Sequence, residues 1–139
     1  MFLMDTTSLS EPPRRDPAPG LLRFFDTTPS QLLFTSAIVV GELLKGAEGH
    51  PDAVQRARLR RWVANEVLPQ FEGRILAVSS EVGEQWGVIT GQAVRRGEPL
   101  PPIDGLIAAT AIVHGLTVVT RNEADFRRCG AEVLNPWSE

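Results

Sequence analysis

The chain has 139 residues, of which 42% are hydrophobic, so it can bury the core of one domain spanning residues 1–139, and a disordered chain is excluded. Its net charge of -3 gives no overall attraction to nucleic acids, so RNA or DNA binding would need a local basic patch or metal ions that screen the phosphates. The single cysteine, Cys129, excludes an intrachain disulfide, and we expect no signal peptide and no membrane span in a soluble, cytoplasmic protein.

Strands and helices are predicted to alternate along the chain. The first predicted elements are a strand at 2–4, a helix at 21–25, a strand at 32–35 and a helix from Ser36 to Lys45 that ends around Gly46 and Gly49. They are followed by a helix opened by Pro51-Asp52, a strand at 74–78 and a helix from Ser79 or Ser80 to Arg96. The last predicted elements are a helix at 103–114 closed by Gly115, a strand at 116–120, a short helix at 124–128 and a strand at 132–134. The proline-rich stretch 12–20 predicts a surface loop. This alternation predicts an α/β protein with a mostly parallel sheet.

Four acidic residues, Asp5, Glu42, Asp104 and Asp125, are predicted to meet at one edge of this sheet. Asp5 directly follows the first strand, and Asp125 follows the strand at 116–120. Ligands of open α/β sheets bind beyond the carboxyl ends of the strands, where these two acids would lie. Glu42 and Asp104 lie in early turns of predicted helices among large apolar residues, where a carboxylate without a partner is costly to desolvate.

Each acid also has an ordinary structural explanation. Asp5 could cap the helix that follows it, Asp104 could favour a helix N-terminus, Glu42 could be a solvated helix residue, and Asp125 could be a turn or cap residue. Taken together, however, clustered carboxylates raise the pKa of some members unless a cation intervenes, and no cationic partner is apparent beside them in the sequence. A hard divalent ion, Mg²⁺ or Mn²⁺, would relieve that repulsion and activate water for attack on a phosphodiester.

Each of the four acids lies in a distinctive segment of the chain. The segments are Met-Asp-Thr-Thr-Ser-Leu-Ser-Glu at 4–11, Thr-Ser-Ala-Ile-Val-Val-Gly-Glu-Leu at 35–43, Pro-Ile-Asp-Gly-Leu-Ile-Ala-Ala-Thr-Ala at 102–111 and His-Gly-Leu-Thr-Val-Val-Thr-Arg-Asn-Glu-Ala-Asp-Phe at 114–126. In order and spacing they resemble the four motifs of PIN-domain ribonucleases. The ending Leu-Asn-Pro-Trp at 134–137 is similar to the VapC and FitB toxin branch. The resemblance therefore covers nearly the whole chain and assigns the acids Asp5, Glu42, Asp104 and Asp125 to one motif each.

The resemblance implies a three-layer α/β/α sandwich with about five parallel strands, and an endoribonuclease that serves as the toxin of a type II toxin–antitoxin pair. By resemblance, Asp5 and Asp104 would be the principal metal ligands, with Glu42 and Asp125 completing the site directly or through water. The residues expected to hold the acids or the phosphate in place are Thr6, Thr7, Thr120 and Asn122.

The resemblance also implies protein partners besides the RNA substrate. We expect a small antitoxin, DNA-binding at its other end, that lays a segment over apolar helices near Leu21, Leu22, Phe25, Leu43 and Leu44. An arginine of the antitoxin is expected to compete with metal for the carboxylates. We also expect a homodimer formed through the helices around Trp86 and Ile107.

One departure from the family pattern leaves alternatives open. The family usually has Asn after the Asp-Thr pair, and this chain has Thr7. A PIN-like module that binds an antitoxin or RNA with little catalysis is therefore one alternative. A phosphatase with Asp5 as an aspartyl nucleophile is another, although such enzymes require a second aspartate at the position of Thr7.

The helix opened by Pro51-Asp52 carries a cluster of arginines that suggests either a solvated face or contacts with RNA phosphates. The cluster is Arg56, Arg58, Arg60 and Arg61. Because arginine binds phosphate in a bidentate manner, the second interpretation is chemically sound, but a solvated helix face is favoured.

Overall fold

The computed structural model describes residues 1–138, so Glu139, the last residue of the predicted domain, lies outside the described residues. Five short strands are formed by β1 (Phe2–Met4), β2 (Leu33–Ser36), β3 (Ile75–Leu76), β4 (Thr117–Val119) and β5 (Val133–Leu134). They pair in parallel in the order β3-β2-β1-β4-β5, which places the first strand of the chain at the centre of the sheet. Helices flank this sheet, so the predicted α/β/α sandwich is confirmed.

Eight helices connect the strands within the described residues. They are α1 (Thr6–Ser10), α2 (Pro19–Thr27), α3 (Ala37–Glu48), α4 (Ala53–Trp62), α5 (Leu68–Gln70), α6 (Ser80–Arg95), α7 (Pro102–His114) and α8 (Glu123–Arg128). Two predicted helix caps are present in the structure. The hydroxyl of Ser36 accepts a hydrogen bond from the amide of Val39, and the hydroxyl of Ser79 accepts one from the amide of Val82. At the end of α7, Gly115 adopts a left-handed conformation with φ 66°, which suits glycine because it has no Cβ.

Two predicted boundaries are wrong. Gly46 lies inside α3, which continues to Glu48 and ends at the cap Gly49. The predicted loop at 12–20 ends early, because Pro19 already occupies the first turn of α2, where its missing amide costs nothing. After α4, the chain passes through one wider turn at Val63–Val67 with a hydrogen bond from the amide of Leu68 to the carbonyl of Val63, and then continues into α5.

The core lies on both sides of the central strands. Leu3 and Met4 of β1 and Val118 and Val119 of β4 are fully buried, as expected for parallel strands covered by helices on both faces. The register pairs Phe2 with Thr117 and Met4 with Val119, so the carboxyl ends of β1 and β4 lie side by side.

Two close approaches fix helices in place. A Cβ on Gly20 in α2 would lie 2.0 Å from the carbonyl oxygen of Pro136, so only glycine fits there. A Cβ on Gly105 in α7 would lie 3.3 Å from Nε1 of Trp86 in α6, which shows how closely these two helices pack. Within residues 1–138, no helix is both long and apolar enough to cross a membrane.

Candidate active site

Asp5 lies at the end of β1 and is almost fully buried, with 3% of its surface exposed. Its Oδ1 accepts hydrogen bonds from the hydroxyl of Thr7 at 2.7 Å and from the amide of Ser8 at 2.9 Å. Its Oδ2 accepts a hydrogen bond of 2.5 Å from the hydroxyl of Thr120. Burial raises the pKa of Asp5, while the hydrogen bonds from Thr120, Thr7 and Ser8 act in the opposite direction. Asp5 is thus a helix cap, as its ordinary explanation required, and also a carboxylate fixed by side chains from a distant strand.

Glu42 is brought towards Asp5 by the helix that follows β2. The hydroxyl of Thr6 donates a hydrogen bond of 2.6 Å to Oε1 of Glu42, and Thr6 is the residue next to Asp5. The hydroxyl of Thr35, at the end of β2, donates to the carbonyl of Met4 at 2.9 Å. These two bonds hold the start of α1 against the β2–α3 connection.

Asp104 lies in the first turn of α7 and is half-buried. Burial, followed by the negative charges of Asp125, Glu42 and Asp5, raises the pKa of Asp104 to about 6. The structure therefore brings the other three predicted acids within electrostatic reach of Asp104. Burial and the nearby charge of Asp104 also raise the pKa of the Cys129 thiol to about 11. Cys129 is thus a buried neighbour of the acids that stays protonated at neutral pH.

Asp125 differs from the other three acids because it has a cationic partner. Its Oδ1 lies 2.6 Å from a guanidinium nitrogen of Arg128, one turn later in α8. The expectation that the cluster lacks a cation is therefore wrong for Asp125, because Arg128 lies one helical turn further along the same helix. Both side chains of this pair are partly exposed, so solvent screens the attraction between them.

The residues expected to hold the acids act in different ways. Thr6, Thr7 and Thr120 each donate a side-chain hydrogen bond to a carboxylate of the cluster. Asn122 contributes through its backbone, whose amide donates to the hydroxyl of Thr120 at 2.9 Å, and its side chain does not cap α8. Within the described residues, the side chain of Asn122 therefore forms no hydrogen bond to the acids, although it was expected to support them.

Comparison with known proteins adds to this geometry. The PIN domain family model matches residues 3–132, which is most of the chain. The chain belongs to the PIN-domain family. VapC ribonuclease Y4jK of Sinorhizobium fredii is 33% identical over 99% of this chain and 98% of its own length. Toxin FitB of Neisseria gonorrhoeae is 34% identical over the full length of both chains.

Solved structures give the same result for the fold. A chain in the crystal structure of FitAcB from Neisseria gonorrhoeae superposes with a TM-score of 0.93, at 34% identity and full coverage of both chains. A chain in a structure of FitAB bound to a DNA fragment gives 0.90, at 33% identity, covering 99% of this chain and 96% of that one. The family suggested by the four motifs is confirmed.

The acids of this PIN domain are suited to a hard divalent ion by their chemistry, since every candidate ligand is a carboxylate oxygen. Within residues 1–138, no three carboxylate, histidine or cysteine groups are placed closely enough to form a complete metal site. Mg²⁺ retains several waters and is commonly bound through only one or two carboxylates, so the donor set still fits it. Burial and, after it, the charges of Asp125, Glu42 and Asp5 raise the pKa of Asp104, and a bound cation would offset both effects.

The sequence did not identify all the residues around the acids. Ser8 supports Asp5 twice: its amide donates a hydrogen bond to the carboxylate, and its hydroxyl donates one of 2.9 Å to the backbone carbonyl of Asp5. Its place three residues after a helix cap was the available signal. Glu11 is buried and accepts a hydrogen bond from Nε1 of Trp137 at 3.4 Å. No sequence pattern links residues 126 positions apart, so this contact required the three-dimensional structure.

The arginine cluster of α4 is largely engaged within the PIN domain. A guanidinium nitrogen of Arg56 donates to the carbonyl of His50 at 2.7 Å, and Arg60 forms an ion pair of 3.0 Å with Glu48. Arg58 donates to Gln55 at 2.8 Å. These contacts tie α4 to the end of α3 and support the solvated-face interpretation.

Two leucines predicted to contact a partner are core residues instead. Leu21 is 0% and Leu43 7% exposed, because both side chains pack into the hydrophobic core. Leu22 and Phe25 line a groove with Leu9 and Trp62, whereas Leu44 borders a separate groove beside α4. Of the residues predicted to lie near a dimer interface, Ile107 is buried in the core, and Trp86 is half-buried against Gly105.

Proposed function

We propose that this PIN domain is a Mg²⁺- or Mn²⁺-dependent endoribonuclease that acts as the toxin of a type II toxin–antitoxin pair. The observation that carries the proposal is that Asp104 lies within electrostatic reach of Asp5, Glu42 and Asp125, with Asp5 at the carboxyl end of β1 beside that of β4. The relatives named VapC ribonuclease and Toxin FitB support the nuclease and toxin assignments. Because the proposed substrate is RNA, the proposed location of the activity is the cytoplasm.

A divalent ion would be held by Asp5 and Asp104, with Glu42 and Asp125 contributing directly or through water. When bound, such an ion supplies a Lewis acid that lowers the pKa of water and offsets the charge of a phosphodiester. The ion would also offset the burial and the carboxylate repulsion that together raise the pKa of Asp104 to about 6. Mg²⁺ and Mn²⁺ both prefer oxygen ligands of this kind.

The chain itself supplies a preorganised frame around the acids. Thr120, Thr7 and the amide of Ser8 fix both oxygens of Asp5, so its carboxylate cannot rotate away from the site. Thr6 fixes Glu42 in the same way. Arg128 partly neutralises Asp125 and keeps it directed along α8. A frame of this kind lowers the reorganisation needed when substrate and ion arrive.

The proposed protein partners are a small antitoxin and a second copy of the chain. The FitAB structure bound to a DNA fragment supports an antitoxin that also binds DNA. The groove lined by Leu9, Leu22, Phe25 and Trp62 is an apolar surface on which a segment of such a partner would bury hydrophobic area. An antitoxin arginine that reaches the acids would oppose the binding of metal.

The test is an RNA cleavage assay with purified wild-type protein, Asp5→Asn and Asp104→Asn, in Mg²⁺, in Mn²⁺ and in excess EDTA. The matched control is Glu84→Gln, which removes an exposed carboxylate from α6. We expect cleavage by the wild type and the control only with added metal, and none by the two aspartate variants. Cleavage in EDTA, or full activity of Asp104→Asn, would exclude the metal mechanism. Folded wild type that binds RNA or antitoxin without cleavage would instead identify a binding module.

A further inference from the structure

A cavity of about 260 Å³ lies beside Asp5. It is lined by Thr7, Ser10, Glu11, Arg14, Arg121 and Trp137. Thr7 belongs to both places, since its hydroxyl donates to Asp5 and accepts a 3.2 Å hydrogen bond from the amide of Arg121. The cavity is slightly smaller than the roughly 300–1,000 Å³ of pockets for drug-sized ligands, so it suits one part of a larger molecule.

Within residues 1–138, the charges on the cavity wall leave one cation, Arg121, without an ion pair. The buried carboxylate of Glu11 accepts from Nε1 of Trp137 and also pairs with Arg14, both at 3.4 Å. The negative charge of Glu11 is therefore matched by the positive charge of Arg14. The exposed Arg121 forms no ion pair within residues 1–138. The hydrogen bond that Trp137 donates to Glu11 also fixes the position of the indole at the cavity.

We propose that this cavity binds a nucleotide of the RNA next to the cleaved phosphodiester, with Arg121 contacting a phosphate and Trp137 contacting the base. The inference rests on the proposed ribonuclease function and deepens it. Arginine matches the geometry of phosphate, and single-stranded RNA is commonly bound by stacking its bases on aromatic side chains. Because the chain carries a net charge of -3, affinity for RNA must come from such local cations.

The position of the cavity favours RNA over other anions. Its wall is joined to Asp5 by a single side chain, Thr7, so a strand that passes the acids continues directly past Arg121. The hydroxyl oxygens of Thr7 and Ser10 line the same space. Their protons are donated to Asp5 and to the carbonyl of Thr6, so towards a nucleotide they act as acceptors, which suits a base amino group or a ribose hydroxyl. A cation, an indole and hydroxyls in one small cavity match the parts of a nucleotide.

The experiment measures RNA binding in the Asp104→Asn background, where the RNA stays intact. A fluorescently labelled, mixed-sequence single-stranded RNA of eight nucleotides is titrated at several salt concentrations, and fluorescence anisotropy gives Kd. Arg121→Gln is compared with Arg95→Gln, an exposed arginine of α6 that does not line the cavity. We expect Arg121→Gln to weaken binding about tenfold and to reduce the salt slope by about one, and Arg95→Gln to change neither.

Trp137 is tested with two variants because it also packs against the core. Trp137→Phe keeps an aromatic face, whereas Trp137→Leu removes it, and thermal denaturation verifies that both fold. We expect Leu to weaken RNA binding about tenfold and Phe to weaken it less. Equal RNA affinities for Arg121→Gln and its parent would overturn the inference. If Arg121→Gln lost affinity for RNA and for polyglutamate by the same factor, the cavity would be a general anion site, and the inference would also be overturned.

Failure of this inference is distinguishable from failure of the proposed function. If wild type shows no metal-dependent cleavage of RNA, the proposed function fails whatever Arg121 does. If wild type cleaves RNA but Arg121→Gln keeps full RNA affinity, only the subsite is wrong. Loss of antitoxin inhibition with unchanged RNA binding would assign the cavity to a protein partner and overturn the nucleotide assignment.

Discussion

Thr120 and Asp5, which are 115 positions apart in the chain, are joined by a hydrogen bond of 2.5 Å between the threonine hydroxyl and Oδ2 of the aspartate. Both side chains are buried, and the parallel pairing of β1 with β4 brings them together. The same hydroxyl accepts from the amide of Asn122, so Thr120 connects the loop after β4 to the first acid of the site.

Thr120→Val should therefore leave Asp5 without one donor in a buried position. We expect a loss of about 2 kcal/mol in the free energy of unfolding, because the lost bond involves a charged acceptor. Cleavage of RNA should fall about tenfold, in line with other residues that orient metal ligands. Thr120→Ser keeps the hydroxyl and should retain most stability and activity. Urea denaturation and cleavage rates measured on both variants test this, and equal effects of Val and Ser would contradict it.

Thr7 provides a test of the departure from the family pattern. Its hydroxyl donates 2.7 Å to Asp5, so support at this position is present although the residue is not Asn. Thr7→Val should reduce cleavage about tenfold by removing that donor, while Thr7→Asn should keep activity, because an amide can also donate to Asp5. Greater activity of Thr7→Val than of wild type would show that this contact does not support catalysis.

The stability of the metal-free protein should depend on pH through Asp104. Its pKa is raised from 3.8 to about 6, so between these values the folded chain holds a proton that the unfolded chain releases. The contribution of Asp104 to stability is therefore complete at low pH and is lost as the pH rises through about 6. In EDTA, Asp104→Asn should match wild type at pH 4 and exceed it by about 2 kcal/mol at pH 7.5.

Urea denaturation of wild type, Asp104→Asn and the control Glu84→Gln at both pH values measures this difference. Addition of Mg²⁺ should narrow the gap at pH 7.5, because an ion that binds the carboxylates stabilises wild type more than the variant. A gap that is the same at both pH values would show that the charge of Asp104 is not its cause.

Two glycines with different surroundings make a matched pair. Gly20→Ala places a Cβ 2.0 Å from the carbonyl oxygen of Pro136, so we expect a loss of about 2 kcal/mol as α2 and the C-terminal turn separate. Gly46→Ala meets nothing within 4 Å inside α3 and should stabilise by about 0.5–1 kcal/mol. Thermal denaturation and urea titration measure the stability of both variants relative to wild type. Shifts of the same sign would contradict the packing argument.

Sequence patterns predicted the fold where local chemistry decides the structure. Ser36 caps α3 and Gly115 ends α7 as predicted, because a free amide and a left-handed turn have specific residue preferences. Gly46 shows the limit, since tertiary packing carries a helix through a residue of low helix propensity. The wide turn at Val63–Val67 has no comparable local signature.

The candidate site was predictable in outline for a similar reason. Acids after parallel strands must share one sheet edge, so the placement of Asp5 and Asp125 followed from topology. The individual partners did not follow, because the bond from Trp137 to Glu11 joins opposite ends of the chain. Likewise, the pairing of Asp125 with Arg128 depends on which way each side chain turns on α8.

The central position of β1 has a consequence for synthesis of the protein on the ribosome. The first strand emerges early, but β4, its neighbour on one side, is made only after α1 to α7. Asp5 thus acquires its Thr120 donor only after Thr120 has left the exit tunnel. A truncated translation product that stops before residue 117 therefore lacks a finished acidic centre.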